Sequence, residues 1–357
     1  MSRKDMNTRL AFLLLPCAWL LVISGFAQGN LTPPGPPAPT MRTLDQLDAK
    51  LDQANTNLAS TEAKADEINA KAEKRTPISS LPFVISEPGS YYLARNLRFT
   101  AATGHAITIA VSDVTLDLMG FTLSSAPEVT GDGIRLNGGV RNIAIKNGNI
   151  TGNTTVTYNG ATWTTAPAGF ARGIGAVATL DPVAHCEYSH LRISGCRNEG
   201  LEGGFYALIQ HVIAARNGGG GISAFDATIA HCRADLNGGT GINSTDGLVS
   251  DCTSSRNQGT GISASDVTHC IVRNSGGHGI FARSVSNSIA QSSGVHGIFA
   301  GEGSVTHSVA MLSGSDGINA QSGVVSFCKA SSNNRLANGS VDIDAAGATR
   351  TGNNPTP

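Results

Sequence analysis

Residues 221–262 read "GISAFDATIAHCRADLNGGTGINSTDGLVSDCTSSRNQGTGI", two copies of one phrase and the start of a third. Glycine followed by Ile or Leu stands at 173, 200, 221, 241, 261, 279, 297 and 317, and the steps after Gly200 are 21, 20, 20, 18, 18 and 20 residues. A period in this range is the signature of a solenoid, with one supersecondary unit per repeat. The register inside the repeat is stricter than its length. Twelve residues before each glycine stand Ile209, Ile229, Val249, Val267, Val285 and Val305. Nine before stand Val212, Cys232, Cys252, Cys270, Ser288 and Ser308, and seven before stand Ala214, Ala234, Ser254, Val272, Ala290 and Ala310. All variation in length falls between the Gly-Ile pair and the next Val or Ile, which predicts an exposed, tolerant turn there.

A coil of 18–21 residues with three short strands and small residues stacked on themselves predicts an all-β chain wound as a parallel β-helix. Successive coils then lie about 4.8 Å apart, hydrogen-bonded along the axis. Counting from the strand near Gly104 gives about eleven coils, a solenoid on the order of 50 Å long. A leucine-rich repeat would carry a leucine ladder, whereas Ile, Val and Ala dominate here. Upstream, "FVISEPGSYYLARNL" (83–97) and "DVTLDLMGFTL" (113–123) alternate apolar and polar residues and read as strands. An open stack needs closed ends. The segment 77–103 is expected to cap the first, and Ala337–Ala348 to form a frayed last coil.

With "PGSYYLARNL" (88–97) and "VTLDLMGFTL" (114–123) ahead of them, the Gly-Ile coils resemble the secreted bacterial proteins of the pectate-lyase-like superfamily. The resemblance covers residues 77–345 and implies a right-handed parallel β-helix. That superfamily holds polysaccharide lyases, glycoside hydrolases, epimerases and non-catalytic surface proteins, and the fold does not choose among them.

The N-terminus reads as a targeting segment. Arg3, Lys4 and Arg9 precede an apolar run from Leu10 to Ile23, and Gly25-Phe26-Ala27 offers small residues at the cleavage positions. A signal peptide over 1–27 is expected, with no membrane span after cleavage and an extracytoplasmic destination, secreted or in the cell envelope. Pro16 before Cys17 argues against a lipoprotein site. Residues 28–42 form a proline-rich linker. Over 43–75, Leu44, Leu47, Leu51, Ala54, Leu58, Thr61, Ala65, Ile68 and Ala72 alternate spacings of three and four, an a/d seam that predicts a helix. Self-association as a homo-oligomeric coiled coil and a single docked helix both fit that seam. The β-helix domain is assigned to 77–349 and a disordered tail to 350–357.

The net charge of −1 points to no nucleic-acid partner. The class of partner that the resemblance implies is a polysaccharide or a cell-envelope component. The leading functional reading is a non-catalytic scaffold presenting a binding surface; the alternative is a polysaccharide lyase or glycoside hydrolase. Gly277-His278-Gly279 and "NSTDG" (243–247) resemble polygalacturonase motifs and make His278, Asp246 and Asp266 the catalytic candidates. Against them, no Asp-Asp pair occurs in the chain, and in the coil register His278 lies well over 10 Å along the coil from the aspartates. Asp226, Asp246 and Asp266 stand five after their glycines, an oxygen-only column that would take Ca²⁺; as turn formers, the same residues need no metal. His278, His296 and Asp316 stand in another column, which either holds a metal or is simply solvated.

Ten before the glycine come His190, His211, His231, Asp251, His269, Asn287 and His307, read as stacked turn residues because a catalytic site needs one unique place. Cys232, Cys252, Cys270 and Cys328 share the inward column and are read as buried thiols, with Cys186 and Cys196 as another possible pair. The repeat breaks between Gly152 and Pro182, where Tyr158, Trp163 and Arg172 are the candidate ligand-binding residues. An aromatic ring there either stacks a sugar or pins the loop to the coils.

Overall fold

The computed structural model describes residues 43–71, 75–176, 182–337, 339, 341–345, 348–352 and 354–355. The expected signal peptide and proline-rich linker lie outside them. The chain divides into two compact units at residue 73. The first contains a helix, Leu44–Lys71. Thr43 caps it: its Oγ1 accepts the Gln46 N–H at 3.3 Å, and Gln46 Oε1 accepts the Thr43 N–H at 3.2 Å, a reciprocal capping box. Leu44, Leu47, Leu51 and Leu58 of the a/d seam are all exposed.

The second unit is one 32-stranded parallel sheet wound into a β-helix, plus a two-stranded hairpin. Each coil contributes a rung to three faces. The Gly-Ile strands form face 1, in which Ile222, Ile242, Ile262 and Ile280 stack in register. Face 1 holds eleven rungs from Ile107–Ile109 to Ile343–Asp344, as the repeat count predicts. The Val/Ile column lies on face 2 (Ile229 on Val249 on Val267) and the Ala column on face 3 (Ala234 on Ser254 on Val272). All three columns are buried, because side chains alternate across a strand and these positions point inward.

The corners explain the polar columns. Residues with positive φ turn the chain at many corners: Asp226 and Asp246 between faces 1 and 2, Arg216 and Arg256 between faces 3 and 1. Between faces 2 and 3 stand His190, His211, His231, Asp251, His269, Asn287 and His307, with φ of 48–55°. Asn, Asp and His are the non-glycine residues that best tolerate this region. The histidines are therefore corner residues, and the His190–His211 and His211–His231 rings stack at 4.8 and 5.2 Å.

Two inward ladders bind coil to coil. The Cys232 Sγ accepts the Val212 N–H and the Cys252 Sγ accepts the Cys232 N–H; the hydroxyls of Ser288 and Ser308 continue the pattern. All six described cysteines, Cys186 and Cys196 included, are buried free thiols. A second ladder, Asn217, Asn237 and Asn257, stands four residues before each glycine, with each amide bonded to the next.

The ends differ from the sequence reading. The segment 77–103, expected as a cap, supplies rungs of its own: Phe83–Ile85, Gly89–Leu93 and Leu97–Phe99 pair with the coil above. From residue 350 on, where a disordered tail was expected, Arg350 and Thr351 pair with Val325 and Ser326, and Asn354–Pro355 with Lys329–Ala330. Among the described residues no helix is long and apolar enough to cross a membrane.

Candidate functional site

Face 1 carries two places where distinctive side chains gather on its outer surface. Near its start, six charged or titratable side chains meet: His105, Asp132, Arg135, Arg172, Glu199 and Glu202. Asp132 is buried at the centre, with Arg135 Nη1 at 2.9 Å and Arg172 Nε at 3.4 Å; Arg172 also pairs with Glu202. A Cβ on Gly175 would lie 2.7 Å from Asp132 Oδ2, so the bare glycine leaves room beside the carboxylate.

Electrostatics fixes the roles in this cluster. Burial lowers the His105 pKa, only partly opposed by Asp132, so the ring is neutral. Its Nδ1 accepts the Asp132 backbone N–H at 3.0 Å, which leaves the proton on Nε2. His105 is thus a donor through Nε2 and has no free base nitrogen. Burial raises the Glu202 pKa despite Arg172. Burial also opposes the Arg172 charge, but Asp132 and Glu202 outweigh it and hold the pKa above its ordinary value. The cluster offers an N–H and two guanidinium groups to a ligand, with Glu202 the one carboxyl shifted towards neutral pH.

Further along face 1, Phe281 and Phe299 occupy the outward position after the Gly-Ile pair on successive rungs. Their rings stack at 5.1 Å with 1° between planes, and Phe281 is 44% exposed. On one side lies a cleft of about 300 Å³ lined by Asp246, Ser265, Phe281, Arg283 and Glu302, among others. On the other lie His278 and His296, stacked at 5.3 Å. His296 Nδ1 is 3.2 Å from Asp316 Oδ2, but that carboxylate already accepts the Asn319 amide and the Val341 N–H. Rings stacked face to face do not converge on a metal, so this column is a wall of the aromatic platform.

Several candidates do not come together as expected. Asp226 and Asp246 hold equivalent corners, but Asp266 is in register with Leu248, two residues further round the coil, so the three carboxylates form no straight column. Among the described residues no three His, Cys, Asp or Glu side chains are placed to hold a metal ion. Asp246 lines the cleft that Phe281 also lines, whereas Asp266 and His278 are not among its walls.

The insertion residues also separate. Arg172 belongs to the face 1 cluster. Tyr158 and Trp163 sit on a hairpin, Thr155–Tyr158 with Trp163–Ala166, beside face 3. Tyr158 stacks on Trp163 at 4.3 Å, and Trp163 Nε1 donates to the Arg256 carbonyl at 2.8 Å, which ties the hairpin to the coils.

His278 gives a pH test of this side of face 1. Burial, then His296, lowers its pKa in the folded state. Below about pH 6.5 the unfolded chain takes up a proton that the folded ring refuses, so stability falls as pH drops towards the folded pKa. The urea midpoint is expected to fall between pH 7.5 and 5.5, and to fall less in His278→Gln. An equal fall in both would show that His278 does not carry the effect.

No protein-family model and no curated protein matches the sequence. Solved structures do match in fold. The A-module of the mannuronan C-5 epimerase AlgE4 from Azotobacter vinelandii aligns at 14% identity over 75% of this chain and 87% of that one, with a TM-score of 0.57. A double mutant of the periplasmic alginate epimerase AlgG aligns at 14% identity over 79% and 78%, with a TM-score of 0.55. The shared fold is the right-handed parallel β-helix.

Proposed function

We propose that this protein is an extracytoplasmic β-helix that binds a polysaccharide along face 1. The observation that carries the reading is the parallel Phe281–Phe299 pair, exposed beside a cleft with two carboxylates and an arginine. One face of a sugar ring is apolar and suits such a platform, while its hydroxyls meet polar groups at the rim. The outward row of face 1 continues through Ser263, Asn243 and Ser223 to Glu202 and Arg135. That row spans roughly 30 Å at the rung spacing. A polymer fits this length better than a small molecule does. The β-helices it resembles are named for mannuronan and alginate, one of them as periplasmic, which makes extracytoplasmic polysaccharides the first partners to test.

Calorimetric titration with oligosaccharides of alginate, pectate and a neutral glucan is the direct test. Phe281→Ala/Phe299→Ala is expected to weaken the best ligand about tenfold, from the loss of two stacking faces. Unchanged affinity in that variant would sink the platform.

A second reading, a polysaccharide-acting enzyme, is favoured by Glu202, whose carboxyl is shifted up inside the one charged cluster that breaks the repeat. Turnover would appear as unsaturated uronide absorbance or new reducing ends, and would be lost in Glu202→Gln. The neutral His105, with its Nδ1 engaged, is why binding stands first.

A further inference from the structure

The hairpin does more than decorate the coil surface. It leaves the stack after Thr151, and its tip residue Trp163 is fixed to Arg256, four rungs along face 3, a reach of roughly 19 Å. Thr165 rests on the glycine corner: a Cβ on Gly218 or Gly238 would come within 3.2 or 3.3 Å of its side chain. The Trp163–Ala166 strand is thereby seated, and Thr155–Tyr158 stands along face 3 as a wall. Among the described residues this strand pairs only with Trp163–Ala166, so its other edge is unpaired.

Between that wall and face 3 runs a groove of about 840 Å³. Its floor and far side carry Arg192, Arg216 and Arg233, and among the described residues Asp235 is the only acidic one lining it. Asp235 is already engaged, by Arg256 Nη2 at 2.6 Å and Arg233 Nη2 at 3.4 Å. Arg192 and Arg216 are exposed and have no ion pair among the described residues. In a chain of net charge −1, this concentration of unpaired guanidinium groups is local. The remaining lining is hydroxyl-rich, from Thr151, Thr155, Thr157 and Ser194, and Tyr158 lines it too.

We infer that this groove is a second ligand site, separate from face 1, and that it takes an acidic oligosaccharide with its carboxylates on Arg192 and Arg216. Guanidinium groups match carboxylates two bonds at a time, hydroxyl side chains and the free strand edge match sugar hydroxyls, and the open length admits several sugar units. The site does not depend on the face 1 reading, since the two lie on different faces and share no lining residue.

Trp163 supplies a readout local to this site. The chain has two tryptophans, and in a Trp19→Phe background Trp163 is the only emitter. Titration of that full chain with tetragalacturonate is expected to change Trp163 emission saturably, and a carboxyl-reduced tetramer is expected to leave it unchanged. The apparent affinity is expected to fall at least tenfold in Arg192→Ala/Arg216→Ala, and to fall as salt rises from 50 to 300 mM. It is expected to survive in Phe281→Ala/Phe299→Ala. No change in Trp163 emission with tetragalacturonate would overturn the inference. So would a response equal in the arginine variant, or one lost only in the phenylalanine variant. Both arginines are exposed side chains, so their replacement leaves the fold intact; a circular dichroism spectrum and urea midpoint matching the parent confirm that the variant tests binding.

Discussion

Gly279→Ala is expected to destabilise the β-helix by about 3 kcal/mol, the upper part of the range for an overpacked core. The glycine does not owe its place to backbone conformation, since its φ is not in the left-handed region. It is there because the next coil is too close. A Cβ at 279 would lie 2.4 Å from the Gly297 carbonyl oxygen, 2.5 Å from Ser293 Oγ and 2.8 Å from Ala290 Cβ. The Gly297 oxygen has no room to retreat, because it accepts the Ile280 N–H at 2.9 Å as part of the face 1 ladder. The same collision, at 2.5–2.6 Å, awaits a Cβ at Gly221, Gly241, Gly261 or Gly297. One methyl group therefore pushes two coils apart, and in a solenoid each interface contributes directly to stability. Gly301→Ala is the control: nothing lies within 4 Å of its Cβ, so it is expected to stay within about 0.5 kcal/mol of the parent. Equal urea midpoints for the two variants would refute the packing account.

The recurring Gly-Ile phrase was legible because this constraint repeats at constant phase. The columns at twelve, nine and seven before each glycine are all inside, as their apolar and small residues indicate. Legibility ended where the phase slipped. Asp266 stands five after its glycine, like Asp226 and Asp246, but its coil is two residues shorter within that very corner. Backbone pairing therefore places it opposite Leu248. Counting from the glycine cannot see a deletion between the glycine and the residue counted to.

The face 1 cluster was missed for a related reason. Ile107, Ile134, Ile174 and Leu201 stack on one another although 27, 40 and 27 residues separate successive members. Over such unequal coils no column can be counted, so His105, Asp132, Arg172 and Glu202 look unrelated in sequence. Trp163 was legible only as an alternative, stacking a sugar or pinning a loop. Its indole N–H on the Arg256 carbonyl shows the second, and the pinned loop is what encloses the arginine groove.

Asn237→Ala is expected to be at least as damaging as the glycine change, with a loss of about 3–4 kcal/mol. The Asn237 side chain is fully buried and uses both ends of its amide. Its Oδ1 accepts the Asn217 N–H at 3.1 Å and the Asn217 side-chain amide at 3.0 Å; its Nδ2 donates to the Ala214 carbonyl at 3.1 Å and to Asn257 Oδ1 at 2.9 Å. Alanine withdraws a partner from each of these four groups at once, in a place water does not reach. A buried polar group left unpaired costs about 1–3 kcal/mol, and the sum falls short of four times that because Asn217 and Asn257 keep other bonds. Nothing in the sequence marked this column as interior, because Asn and Ser four residues before a glycine are also ordinary turn residues. The later coils set the comparison. Ser275, Ser293 and Ser313 fill the same column, and their buried hydroxyls make no hydrogen bond. The column thus accepts serine in the later coils, even at Ser275 and Ser313, whose neighbours along it include Asn257 and Asn333. In the asparagine section Asn237→Ser is expected to fall between parent and alanine, while Ser293→Ala is expected to change the urea midpoint little. A loss in Ser293→Ala as large as in Asn237→Ala would mean that column volume, not amide bonding, holds the coils together.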